Sequence, residues 1–158
     1  MTRAYDLYAE SNPAFCAAVL ASFCAAYSGR ARQAPSLIVV YPVLPIVMSQ
    51  DLAETFEGTN RGTGLMVWLH RHPRVLDDLA KRINATLCIT TEAVRFGCFS
   101  NLLKLDLDGS IAGVLKSLPA QGRDGSVSAI FKHSRLLGYW MAGEGSPRAI
   151  MESFGVTV

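Results

Sequence analysis

The sequence predicts an α+β fold, mostly helical, with a winged-helix-like core of three helices and a β-hairpin and extra N- and C-terminal helices. Three observations lead there. Helix-start signals recur, at Asn12-Pro13, Ser49-Gln50-Asp51, Pro73, Thr90-Thr91 and Ser146-Pro147. Most apolar residues fall at helical spacing. One stretch alternates with period two: Leu103, Leu105 and Leu107 against Lys104 and Asp106.

The first helix is expected over residues 13–27. Phe15, Val19, Phe23 and Tyr27 form one stripe, Cys16, Leu20 and Cys24 the next, and no residue from 13 to 28 is charged. Such a helix is normally buried on all sides. A 158-residue chain can hardly cover it completely, so a partner is expected to help. Residues 37–48 are the longest apolar run and hold Pro42 and Pro45. Those prolines argue against a regular helix and a central strand, so an extended buried strap is expected.

A short helix follows toward Phe56, then a loop over 57–63. Helices are expected over 65–70, 73–86 and 92–102. Val75, Leu76, Leu79 and Ile83 should face inward in the second, and Val94, Phe99 and Leu102 in the third. The hairpin should turn at Asp108-Gly109-Ser110, pairing Leu107 with Ile111 and Leu103 with Leu115 to keep the apolar side together. Helix, helix, helix, hairpin is the winged-helix order, with 92–102 in the recognition position. After a loop over 118–125 come a helix over 127–141, with Val127, Ile130, Phe131, Leu137 and Met141 on one side, and a last helix ending at Gly155. No linker divides the chain, so 1–158 is expected to be one domain. Within it, 12–56 is the first helix and strap, 61–116 the winged core and 125–158 the C-terminal helices.

Half of the residues are hydrophobic and 18% are charged, against roughly a quarter in ordinary globular chains. That low share suggests a covered surface. The net charge of +2 does not by itself argue for nucleic acid. Residues 1–10 have no apolar core and no long uninterrupted apolar run exists, so neither a secretion signal nor a membrane span is expected. The expected location is cytoplasmic. Cys16, Cys24, Cys88 and Cys98 match no zinc or redox spacing and read as reduced, buried thiols.

No catalytic, cofactor or metal constellation stands out. His70 and His72 point to different faces of a helix and read as helix-end residues. Gly62-Thr63-Gly64 and Gly143-Glu144-Gly145 lack a phosphate-loop context. Asp106-Leu107-Asp108 lacks the closing Glu of a calcium loop. The cations Arg61, Arg71, Arg74, Lys81 and Arg82, then Arg95, Lys104 and Lys116, could touch DNA phosphates. The 92–102 helix carries Phe96 and Phe99 but only Arg95 as a cation, which favours protein contact over base reading. Arg61, Trp68, Arg71, Arg74, Arg95 and Lys104 are therefore the expected partner or DNA contacts.

Several segments together carry a family resemblance: Asn12-Pro13-Ala14-Phe15, Pro42-Val43-Leu44-Pro45-Ile46-Val47, Arg61-Gly62-Thr63, Trp68-Leu69, His72-Pro73, Thr91-Glu92-Ala93, Phe96-Gly97, Leu136-Leu137-Gly138-Tyr139-Trp140, Ser146-Pro147 and Phe154-Gly155-Val156. In this order the chain resembles the middle component of three-component ABC systems, the Lamassu-type anti-phage cassettes. The resemblance implies a non-enzymatic adaptor without cofactors. Its partners would be an SMC-like ABC ATPase and a nuclease-like effector activated on sensing foreign DNA, with DNA contact mainly through the complex. Two other readings stand beside it: a winged-helix DNA-binding regulator using Arg95 and Lys104, and a small enzyme using Cys98 or His133.

Overall fold

The computed structural model describes residues 12–114 and 125–157. They form seven α-helices, α1 Pro13–Ala31, α2 Val43–Val47, α3 Gln50–Ala53, α4 Leu65–Arg71, α5 Leu79–Phe99, α6 Gly125–Ala142 and α7 Pro147–Ser153, with 3-10 turns at Leu37–Val40, Glu54–Phe56 and Pro73–Leu76. Strands β1 Leu103–Leu105 and β2 Ile111–Gly113 make an antiparallel hairpin. The α+β, mostly helical class is as expected.

The Asn12 side chain accepts from the Ala14 and Phe15 amides at 3.0 and 3.3 Å, and Pro13 opens α1. The helix runs one turn past Tyr27 and closes with Arg32 in the left-handed region, its amide donating to the Ser28 carbonyl. By length and composition α1 could cross a bilayer. Its composition is also what burial on every side demands, and every residue from Cys16 to Cys24 is buried. The chain supplies this cover itself, through α6, α5 and β2. The expected help from a partner is not needed, because small residues let neighbours settle onto the α1 backbone. A Cβ on Gly138 of α6 would lie 2.5 Å from the Phe23 carbonyl oxygen, and one on Gly113 of β2 would run into that of Ala21. One turn before Gly138, the buried Ser134 hydroxyl donates to the Val19 carbonyl at 2.8 Å.

Residues 37–48 are buried as expected but helical, not extended. Pro42 is the N-cap of α2 and Pro45 lies in its first turn, where amides have no partner inside the helix. Burial of Val39, Val40, Val43, Leu44, Ile46 and Val47 outweighs the bias of pre-proline residues away from helix. Strand-like pairing occurs just upstream: Ser36 bridges Ser110, the Leu37 amide donates to the Gly109 carbonyl and the Ile111 amide to that of Pro35. The segment thus edges the hairpin and packs α2 against α1, α5 and α6.

The three helices expected between residues 65 and 102 are α4, a 3-10 turn and one continuous α5. Only the helix-then-hairpin end of the winged order keeps separate elements. No Gly or Pro interrupts residues 79–96. Thr90 is buried, and the Thr91 hydroxyl shares a 3.1 Å hydrogen bond with Tyr41 instead of capping a new helix. Val75, Leu79, Ile83, Val94 and Leu102 are buried, whereas Leu76 is exposed and Phe99 is 91% exposed.

The hairpin pairs Leu103 with Gly113 and Leu105 with Ile111, two residues from the expected register. A shift of two keeps each side chain on its face. It leaves a five-residue connection in which the Asp108 carboxylate accepts from the Ser110 amide and hydroxyl, and Gly109 takes φ +84°. Leu103 and Ile111 are buried, but Leu105 and Leu107 are exposed. The expected partner Leu115, Lys116 and most of the loop at 118–125 lie outside the described residues. In α6, Phe131, Leu137 and Met141 are buried, with Val127 and Ile130 packed against them. The Ser146 hydroxyl caps α7, accepting from the Ala149 amide at 3.1 Å.

Alanine replacing a helical glycine usually stabilises, by about 0.5–1 kcal/mol. Gly138→Ala should do the reverse and cost about 1–3 kcal/mol, because the added methyl group meets α1 backbone rather than a movable side chain. Urea unfolding of the two proteins checks the sign.

Candidate anion-binding cleft

An aromatic cluster fixes one wall of the site. Phe56 stacks on His133 at 4.2 Å between centroids and on Trp140 at 5.9 Å, and Trp68 tilts against Phe56 and Trp140 at 4.9 and 5.5 Å. Buried indole N–H groups need acceptors, and the loop before α4 supplies them. Trp68 Nε1 donates to Thr55, and Trp140 Nε1 to the Asn60 carbonyl at 3.0 Å. Asn60 then organises a tight turn: its side chain accepts from the Gly62 amide at 2.8 Å, and its own amide donates to the Thr63 hydroxyl at 3.1 Å. Arg61 stands at the tip of this pinned turn.

Arg61 faces a cleft of about 530 Å³ between α1 and α6. The α1 side offers Ser22, Ala25, Ala26, Gly29 and Arg30, and the α6 side Lys132, Arg135, Leu136 and Tyr139. Each set has the i, i+3, i+4, i+7 spacing of one helix face. The small residues of α1 keep the floor open. Arg30 Nη1 donates to the Tyr139 carbonyl at 2.8 Å, and the Arg30 and Arg61 guanidinium carbons lie 4.4 and 5.3 Å from the Tyr139 ring centre. Arg30, Arg61, Lys132 and Arg135 are all exposed, and none is ion-paired to a carboxylate among the described residues. Four cations without a carboxylate partner among the described residues can hold an anion, and no His, Cys, Asp or Glu is among the lining residues.

The residues expected as contacts scatter. Arg61 lies in the cleft. Trp68 is wholly buried in the aromatic cluster and presents no surface. Arg71 is exposed at the end of α4. Arg74 is ion-paired with Glu54, Arg95 with Glu92 at 2.8 Å and Lys104 with Asp106 at 3.7 Å. Arg30, Lys132 and Arg135 were not among the expected residues. Helical spacing could have grouped Lys132, Arg135 and Tyr139, but only the fold brings Arg30 and Arg61 to them.

Cys98 and His133 occupy different neighbourhoods: Cys98 lines a shallow cleft with Asn101 and Leu103, and His133 stacks on Phe56. Cys88 is exposed and Cys98 half-buried, contrary to the expectation of buried thiols, because both fall off the inward face of α5. Cys16 and Cys24 are buried, and burial pushes the Cys24 thiol up to about 12. Among the described residues no three His, Cys, Asp or Glu side chains group as a metal would need.

The sequence profile of the ABC-three component (ABC-3C) system Middle Component 3 family matches residues 3–158. The chain belongs to this family of middle components. No curated protein and no solved structure matches it. As a component of a multi-part system, this middle component is an accessory subunit by family, and the cleft and the exposed apolar side chains are two surfaces that its described residues offer.

The His133 pKa is pushed from 6.5 down to about 4, first by burial and then by the nearby Lys132 charge. Unfolded, His133 takes up a proton near pH 6.5; folded, it resists until about pH 4. Its contribution to stability is therefore complete above pH 6.5, falls as pH drops toward 4 and changes no further below that. Urea unfolding at several pH values should show a shallower decline across that window for His133→Phe than for the parent protein. Parallel declines would contradict a neutral, stacked His133.

Proposed function

We infer that this middle component is a non-catalytic adaptor of a cytoplasmic, Lamassu-type anti-phage complex. It joins an SMC-like ABC ATPase to a nuclease-like effector that acts once foreign DNA is sensed. The observation that carries this reading is the family match across residues 3–158. A second feature supports it. Phe99 is 91% exposed at the end of α5, Phe96 is partly exposed one turn earlier, and Leu105 and Leu107 are exposed on the following hairpin. Exposed aromatic and aliphatic side chains are the usual anchors of protein contact. The winged-helix reading of α5 and the hairpin would use this same end of the fold for protein rather than for bases.

Co-expression with an SMC-like ABC ATPase and an effector of the same three-component system, with the tag on the ATPase, tests the adaptor. The three proteins should co-elute in gel filtration. Phe99→Asp combined with Leu107→Asp should reduce recovery of the middle component at least about tenfold, the size of a modest hot spot. Its thermal midpoint should stay unchanged, since neither side chain is buried. A stable monomer that binds neither protein would sink the adaptor reading.

A further inference from the structure

We propose that the cleft between α1 and α6 grips the phosphodiester backbone of nucleic acid without reading bases. Of the expected contacts Arg61 lies in this cleft, whereas Arg95 and Lys104 are ion-paired with Glu92 and Asp106. Arg82 and Arg74 are likewise ion-paired, to Asp51 and Glu54. Against that background, four cations without carboxylate partners gather in one cleft. The whole chain carries a net charge of only +2, so a cleft lined by four cations and no carboxylate stands out from a nearly balanced chain.

The cations come from three separate elements. They run from the last turn of α1, across the Asn60–Thr63 turn, to two positions a helical turn apart on α6. A linear polyanion with repeating phosphates matches that layout better than a single carboxylate or phosphate does. Three of the four are arginines, whose planar forks suit phosphate oxygens. Tyr139 is the aromatic residue in the cleft, and two guanidinium groups lie against its ring. That ring is not free to stack a base, which leaves backbone contacts and no sequence preference. The Trp140–Asn60 hydrogen bond holds the Arg61 turn in place, so little ordering is needed on binding.

Fluorescence anisotropy with labelled DNA tests this on the full chain, using a 12-nucleotide single strand and the same sequence as duplex over a salt series. Four phosphate contacts give a slope of log affinity against log salt of about −3 for the single strand and about −3.6 for the duplex. Arg61→Gln combined with Arg135→Gln should halve the slope and weaken binding at low salt at least about tenfold. Both side chains are exposed, so the thermal midpoint should not move. Arg95→Gln combined with Lys104→Gln should change nothing. Tripolyphosphate and a poly-glutamate peptide of matched charge should compete weakly. The proposal is overturned if either competitor binds as tightly as DNA, if the Arg95/Lys104 variant loses binding while the cleft variant keeps it, or if no DNA binds even at low salt. None of these outcomes depends on the ATPase or effector, so the adaptor role stands or falls separately.

Discussion

The close approach of backbones along α1 governs the rest of the molecule. A helix without charge from Pro13 to Ser28, and buried from Cys16 to Cys24, has to be covered on every side by a short chain. Bulky neighbours would hold the covering elements away and leave voids. Gly138, Gly113 and Ser134 solve this by bringing α6 and β2 almost onto α1's carbonyls. The Ser134 hydrogen bond satisfies a buried hydroxyl while fixing the register of α6 on α1. With that register set, one flank of α6 carries Trp140 and His133 into the aromatic cluster. The adjacent flank carries Lys132, Arg135 and Tyr139 alongside the small residues of α1.

Much of the local structure is legible in the sequence because it depends on a few neighbouring residues. Asn12-Pro13 and Ser146-Pro147 start helices where expected, since a cap and an N-terminal proline act within a single turn. Leu103 and Ile111 also fall on the buried side of the hairpin as expected, since the two-residue side-chain period survives a slip of two, whereas Leu105 and Leu107 of the expected apolar side are exposed. The errors arise where a local signal competes with packing. Thr90-Thr91 resembles a cap in isolation, but in the fold one threonine is buried and the other bonds to Tyr41. The prolines of residues 37–48 argue against a long helix, yet they suit the first turn of a short one.

The site was less legible than the fold, for a different reason. Its members come from α1, the Asn60 turn and α6, and no local rule relates Arg30 to Arg135. Arg61 was singled out by its basic surroundings, whereas its role depends on Trp140 holding the Asn60 carbonyl from far along the chain. Conversely, Arg74, Arg95 and Lys104 stood out as cations only while their carboxylate partners were unknown. A count of basic residues locates charge but not free charge; that distinction needs the fold.

The two surfaces of this middle component therefore differ in kind and in support. The apolar end comprises Phe99, at the C-terminal end of α5, and Leu105 and Leu107 of the hairpin, whose side chains face solvent. Apolar groups there can gain by burial against a protein without any change in the domain. The cationic cleft instead lies against the close packing of α1 on α6. Anything that loosens that seam would displace Lys132 and Arg135 from Arg30, and would reach β2 as well, which packs on the same α1 backbone at Ala21. A ligand that ties α1, the Asn60 turn and α6 together would in turn stabilise that seam by binding only the folded arrangement. Occupancy of the cleft and rigidity of the core would thus be thermodynamically linked.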